Sequence, residues 1–73
     1  MSMRLNRIKL ALVERGKTNK WLSEHIGKSP VSVSRWCTNE TQPSIQDLNR
    51  IAELLDMDVR RLLVSNKKKE SDI

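Results

Sequence analysis

The chain has 73 residues, a formal net charge of +5 and a sequence isoelectric point near 9.9. That length allows one small domain with a thin core. A single cysteine excludes an internal disulfide, no Cys/His set stands at metal-ligand spacing, and no apolar run approaches the ~18 residues of a membrane span.

The charge is unevenly placed. Residues 1–39 carry eight Lys/Arg against two acids, a net +6, whereas residues 40–66 carry three against five, a net −2. The basic half favours an anionic partner, with nucleic acid ahead of an acidic membrane surface. The lone free thiol suits a reducing compartment, so a cytoplasmic location is expected. No signal-peptide apolar core follows the N-terminus.

In chain order, "RLNRIKLALVER" places Leu5, Ile8, Ala11 and Leu12 at helical spacing over 4–15, and Gly16 supplies the residue after the helix end. Thr18 is a fitting N-cap for "NKWLSEHI", which Gly27 stops. Ser29 followed by Pro30 starts a third helix running to about Cys37, because proline fits the first helical position, where an N–H has no partner anyway. In the connection "TNETQP", Asn39 is the non-glycine residue best suited to positive φ. Ser44 caps "IQDLNRIAELL", whose Ile45, Leu48, Ile51, Ala52 and Leu55 form one apolar stripe. Asp58 caps a short fifth helix carrying Val59, Leu62 and Leu63. Residues 66–73 lose periodicity and read as a charged, disordered tail after a 1–65 domain. The expectation is an all-α fold of five short helices without strands.

The spacing within 18–37 carries the functional signal. Two short helices meet at a turn centred on one glycine, with Leu22, Ile26, Val33 and Trp36 able to face inward and the small Ser23 at the crossing. The other face of the third helix then shows Ser29, Pro30, Val31, Ser34 and Arg35. Small side chains let a helix approach the wall of a DNA major groove. Val31 fits a thymine methyl, Ser29 and Ser34 fit hydrogen-bonding base edges, and Arg35 fits the N7/O6 fork of guanine. For Val31 the competing reading is core packing.

Together, "LALVERGKTNKWLSEHIGKS", "VSRW", "TQPS" and "LNRIAELLDMDVRRLL" make residues 4–64 resemble the phage repressor and Cro-like domains, the lambda-repressor-like or XRE-type helix-turn-helix family. The resemblance implies a compact five-helix domain whose third helix reads bases, with Ser29, Pro30, Val31 and Arg35 at base-facing positions and Ser34 beside them. It places Asn19 at a phosphate contact, and Thr38 with the backbone near Asn39 at a second phosphate clamp. Lys17, Lys20 and Lys28 lie near the same surface by sequence and add charge, with Lys20 and Lys28 counted among the phosphate contacts. It further implies a homodimer on roughly palindromic double-stranded DNA, joined through helices four and five between Ser44 and Leu63, and a repressor as the commonest role.

Three positions depart from the family pattern. Where many members pair an Arg late in helix one with a Glu after the recognition helix, this chain has Leu12 and Cys37, and an apolar contact is expected to replace the ion pair. Pro30 stands where a polar reader is common, and Asn39 where a Gly is usual. Trp36 reads as core, Trp21 as packing over helix one or else as a DNA-edge or partner contact, His25 as surface, and Cys37 as a small core residue. One His, no nucleophile–base pair in any motif and no Gly-rich phosphate loop give no basis for an enzyme, a metal or a cofactor. The alternative is a protein-interaction adaptor or the DNA-binding antitoxin of a toxin–antitoxin pair.

Overall fold

Ile8, Leu12, Leu22, Val33, Ile51 and Leu62 are fully withdrawn from solvent, and every helical element contributes at least one of them. The computed structural model describes residues 4–65. Within them lie α1 (Ile8–Glu14), α2 (Asn19–Ile26), α3 (Pro30–Cys37), α4 (Ile45–Leu54) and a 3-10 helix (Val59–Leu62). Trp36, Ala11, Ala52, Leu48 and Leu55 complete the core, with Trp21, Ile26, Cys37, Leu54, Met57 and Val59 packed partly buried around it. Burying each large aliphatic side chain stabilises the fold by roughly 1.5–3 kcal/mol. Closing one core therefore holds all five elements.

Local chemistry sets most boundaries as the sequence suggests. The hydroxyls of Thr18, Ser29 and Ser44 accept from the N–H groups of Trp21, Ser32 and Asp47, each satisfying one donor that a helix start leaves free. Gly27 ends α2 at φ 77°, and a methyl group there would meet only open space. The requirement for glycine at this turn is thus conformational rather than steric. Asp58 caps the 3-10 helix, and the Arg60 guanidinium on the same carboxylate holds its pKa below the usual range.

Three expectations are corrected. The first helix starts at Ile8, not near Arg4, because Asn6 and Leu63 form an antiparallel bridge and Leu5 stays in an extended segment, 47% exposed. Arg7 N–H donates to Leu62 O (2.8 Å) and Val64 N–H to Leu5 O (3.0 Å), so the segments before α1 and after the 3-10 helix clasp each other through backbone bonds. The fifth helix is a single 3-10 turn, leaving four α-helices among the described residues. Its i→i+3 bonds place Leu62 in the core while Leu63 turns extended to meet Asn6. Ile45 has the right period for the α4 stripe, yet its side chain is 84% exposed and lies outside the core. The proposed tail at 66–73, like Met1–Met3, lies outside the described residues.

Two contacts across the fold fix the helices to one another. Arg15, just past α1, donates from Nε to Leu55 O (2.7 Å) and from Nη2 to Asp56 O (3.0 Å). A cation thus sits on carbonyls left open at the end of α4, where the helix dipole favours it. Beyond α3, Asn39 takes φ 63° and turns its amide inward, 6% exposed. Its Oδ1 accepts from the N–H groups of Leu5 (2.8 Å) and Asn6 (2.9 Å) and from Gln42 Nε2 (3.1 Å), while Nδ2 donates to Asn6 O (3.2 Å). The Asn6 amide returns the link, donating to Trp36 O (2.9 Å) and Gln42 Oε1 (2.7 Å) and accepting from Ile8 N–H (3.0 Å).

This network generates a test. Asn39→Ala removes an acceptor from buried donors and puts a Cβ-bearing residue without a compensating amide at positive φ. A loss of about 2–4 kcal/mol is expected in urea denaturation. Asn39→Gly loses the same bonds but tolerates the backbone, so its loss should be smaller by about 1 kcal/mol.

Candidate nucleic-acid interface

The side chains of α3 divide between two faces. Val33 (0% exposed) and Trp36 (6% exposed) are consumed by the core, and α2 packs across that side with Leu22 and the buried Ser23. Ser23 donates its hydroxyl to Lys20 O (2.9 Å), so the small residue at the crossing is also satisfied. Ser29, Pro30, Val31, Ser34 and Arg35 are all exposed, and Val31 at 59% exposure is not a core residue. The structure thus leaves four of the five expected readers exposed on α3 and the fifth, Ser29, exposed at its N-cap. Pro30 presents no N–H or polar side chain, leaving a smooth, small surface at the helix start.

The capping role limits what Ser29 offers. Its Oγ accepts from Ser32 N–H and donates to Ser32 Oγ (both 3.1 Å), so its remaining capacity is as an acceptor. Ser32 is thereby drawn into the polar start of α3, a participant the sequence reading passed over. Ser34 stands exposed one turn further on.

Asn19 opens α2, where the first N–H groups of a helix lack internal partners and favour an anion. Its Oδ1 accepts from Cys37 Sγ–H at 3.4 Å, tying the start of α2 to the end of α3. Lys20 follows in the first turn, exposed. Lys17 instead lies over the Trp21 ring, 4.9 Å from its centroid, and Trp21 stacks on His25 at 4.3 Å. Lys28 is exposed in the turn, with Nζ 3.6 Å from Asp47 Oδ2.

The second clamp needs correction. The Asn39 side chain faces the interior, and the N–H groups of residues 38–41 all donate internally, to Ser34 O, Trp36 O and, twice, Arg35 O. Asn39 is therefore a structural residue with neither amide nor N–H left for a phosphate. Thr38 is exposed, but its hydroxyl donates to Ser34 O and Arg35 O (both 3.2 Å), and binding a phosphate oxygen requires it to turn away from them.

Two acids that sequence reasoning missed stand beside the cations. Glu40 Oε1 is 3.7 Å from Arg35 Nε, and Asp47 holds Lys28. Both pairings cross a loop, so no helical spacing announces them. Among the described residues no group of three or more His, Cys, Asp or Glu could hold a metal ion, and no helix is long and apolar enough to cross a membrane.

A helix-turn-helix family model matches residues 8–62, most of the chain. The chain belongs to the XRE-type helix-turn-helix family. In this XRE-type domain the matched span starts at the first residue of α1 and ends at the last of the 3-10 helix. The domain is also similar to a crystal structure of a candidate DNA-binding protein from Bacteroides fragilis. The two are 52% identical with a TM-score of 0.82, over 85% of this chain and all of the other. No curated protein matches the chain.

At Leu12 and Cys37 an apolar contact is expected in place of an ion pair, and these two positions form no ion pair with each other. Leu12 is fully buried, Cys37 packs half-buried against the same core, and the thiol's polar partner is Asn19. Burial raises the Cys37 pKa, with the nearby Lys9 charge acting weakly in the opposite direction. The protonated thiol is the form the fold favours, so its contribution to stability is complete below the unfolded-state pKa and is lost as pH rises through the folded one. Stability measured from pH 7 to 10.5 should fall more steeply for the parent than for Cys37→Ser. At pH 7.5 iodoacetamide should label the folded chain several times more slowly than the urea-unfolded chain.

Proposed function

We propose that this chain is a sequence-specific regulator of transcription that binds double-stranded DNA and acts as a repressor. In this reading α3 enters the major groove. The observation that carries it is the division of that helix, with Val33 and Trp36 spent on the core and Val31, Ser34 and Arg35 left open opposite them. The Bacteroides fragilis relative's description as DNA-binding supports the same assignment.

Arg35 supplies the strongest base contact, forking onto guanine O6 and N7, while Val31 packs on a thymine methyl and Ser29 and Ser34 meet neighbouring base edges. Asn19, Lys20 and Lys28, with Thr38 once its hydroxyl rotates, hold the backbone and set register without reading sequence. One α3 spans only a few base pairs, so two copies bind half-sites about one helical turn apart. Ile45, a large apolar side chain left open at the start of α4, supports an apolar contact between copies on the α4 side. Occupying such a site blocks transcription from it. A second reading, a protein-binding adaptor or antitoxin, draws support from Leu10 (54% exposed) and Val13 (62% exposed), which leave an apolar strip on the outside of α1.

Selection from a random duplex pool near physiological salt should enrich a palindromic motif. Against that motif Arg35→Ala should cost about 1–3 kcal/mol and relax preference at one G·C pair. Lys20→Ala should weaken all sequences alike and lower the salt slope by about one. No enrichment from folded protein, or an Arg35→Ala variant with unchanged preference, would sink this assignment.

A further inference from the structure

We propose that Glu40 is a positioning residue for sequence discrimination, one that restrains Arg35 from non-specific phosphate contact. The inference rests on the reading of α3 as a DNA-reading helix. The geometry begins at the end of α3, where Asn39 in its left-handed conformation folds the chain back. Arg35 O then accepts from both Glu40 N–H (2.9 Å) and Thr41 N–H (3.3 Å). The backbone of Glu40 is thereby fixed against that of Arg35, and its carboxylate comes within 3.7 Å of Arg35 Nε.

Both side chains are well exposed, at 58% and 62%, so this pair adds little to folding stability. Its effect falls on the ligand. A guanidinium has five donors, and a carboxylate on the Nε side leaves the terminal nitrogens free to fork onto guanine. Phosphate attraction depends chiefly on charge, which a neighbouring carboxylate offsets. Base reading by Arg35 is retained while its pull on any phosphate is reduced. Specificity rises because the wrong partner is penalised, even where the right one gains nothing. Lys28 beside Asp47 repeats the pattern near the start of α3, whereas Lys20 has no ion pair among the described residues and keeps its full charge for the backbone.

The test uses the full chain with Glu40→Gln, Arg35→Ala and the double variant. Binding is read by fluorescence anisotropy on the selected duplex and on a scrambled one, across a salt series. Freeing one cation to displace one counterion is worth roughly fivefold in affinity near 0.15 M salt. Glu40→Gln should therefore bind the scrambled duplex roughly fivefold more tightly, with a salt slope steeper by about one. Affinity for the selected duplex should change less, so the ratio between the two falls. In the Arg35→Ala background the same substitution should bring no such gain. An unchanged ratio and slope for Glu40→Gln would overturn the proposal. So would an equal gain without Arg35, which would reduce Glu40 to diffuse repulsion. A parent protein that prefers no duplex would instead overturn the DNA-binding reading beneath it.

Discussion

The buried amide of Asn39 is the constraint on which the arrangement of this domain depends. Taken inside, an amide must find partners or cost several kcal/mol, and this one finds them in the N-terminal segment, through Leu5 and Asn6, and in Gln42. Those bonds are made only if the chain reverses directly after α3, which the left-handed backbone of Asn39 accomplishes. The consequences run both ways. Upstream, the Asn6 side chain reaches Trp36 O and holds the end of α3 against the start of the chain. Downstream, the loop is turned so that Glu40 comes back beside Arg35. A polar network of this kind adds less to net stability than to fixing one geometry, because a half-made version is worse than none.

The electrostatics of the outward face follow from that geometry. The basic half of the sequence does not present a uniformly free positive surface. Lys17 is over an aromatic ring, Arg15 is on backbone carbonyls, and Lys28 and Arg35 each have an acid nearby. The acids offset Lys28 and Arg35 at long range, while Lys17 and Arg15 keep their charge but are tied to neutral groups within the fold. In the proposed reading, the acid beside Arg35 gives up some non-specific affinity and orients the donors that remain.

Features set by short-range chemistry were legible in the sequence. The N-caps at Thr18, Ser29, Ser44 and Asp58, the positive φ of Gly16, Gly27 and Asn39, and the inward Val33 and Trp36 depend on a residue and its near neighbours, and all are present. The outward set on α3 followed from the inward set, since a helix has only one face to bury. Features set by distant partners were not legible. Leu5 has helical period relative to Ile8, but Asn6 is claimed by Asn39, 33 residues away, and by a bridge to Leu63, so the helix cannot begin before Ile8. The 3-10 turn in place of a fifth α-helix has the same origin, because Leu63 and Val64 must straighten to meet that segment. Asn39 looked available to phosphate because a family position was carried over; its burial depends on Asn6 and Gln42. Arg15 and Glu40 gave no signal, since their partners lie across loops.

The central claim is that the outward side of α3 is the surface that meets DNA. Backbone amide shifts followed by NMR while a selected duplex is added test it most directly, because every face of the domain reports at once. The account predicts the largest changes at Asn19, Lys20, Val31, Ser34 and Arg35, with Leu10 and Val13 on the outer side of α1 nearly still. Changes centred on Leu10 and Val13, with the α3 amides unmoved, would contradict it.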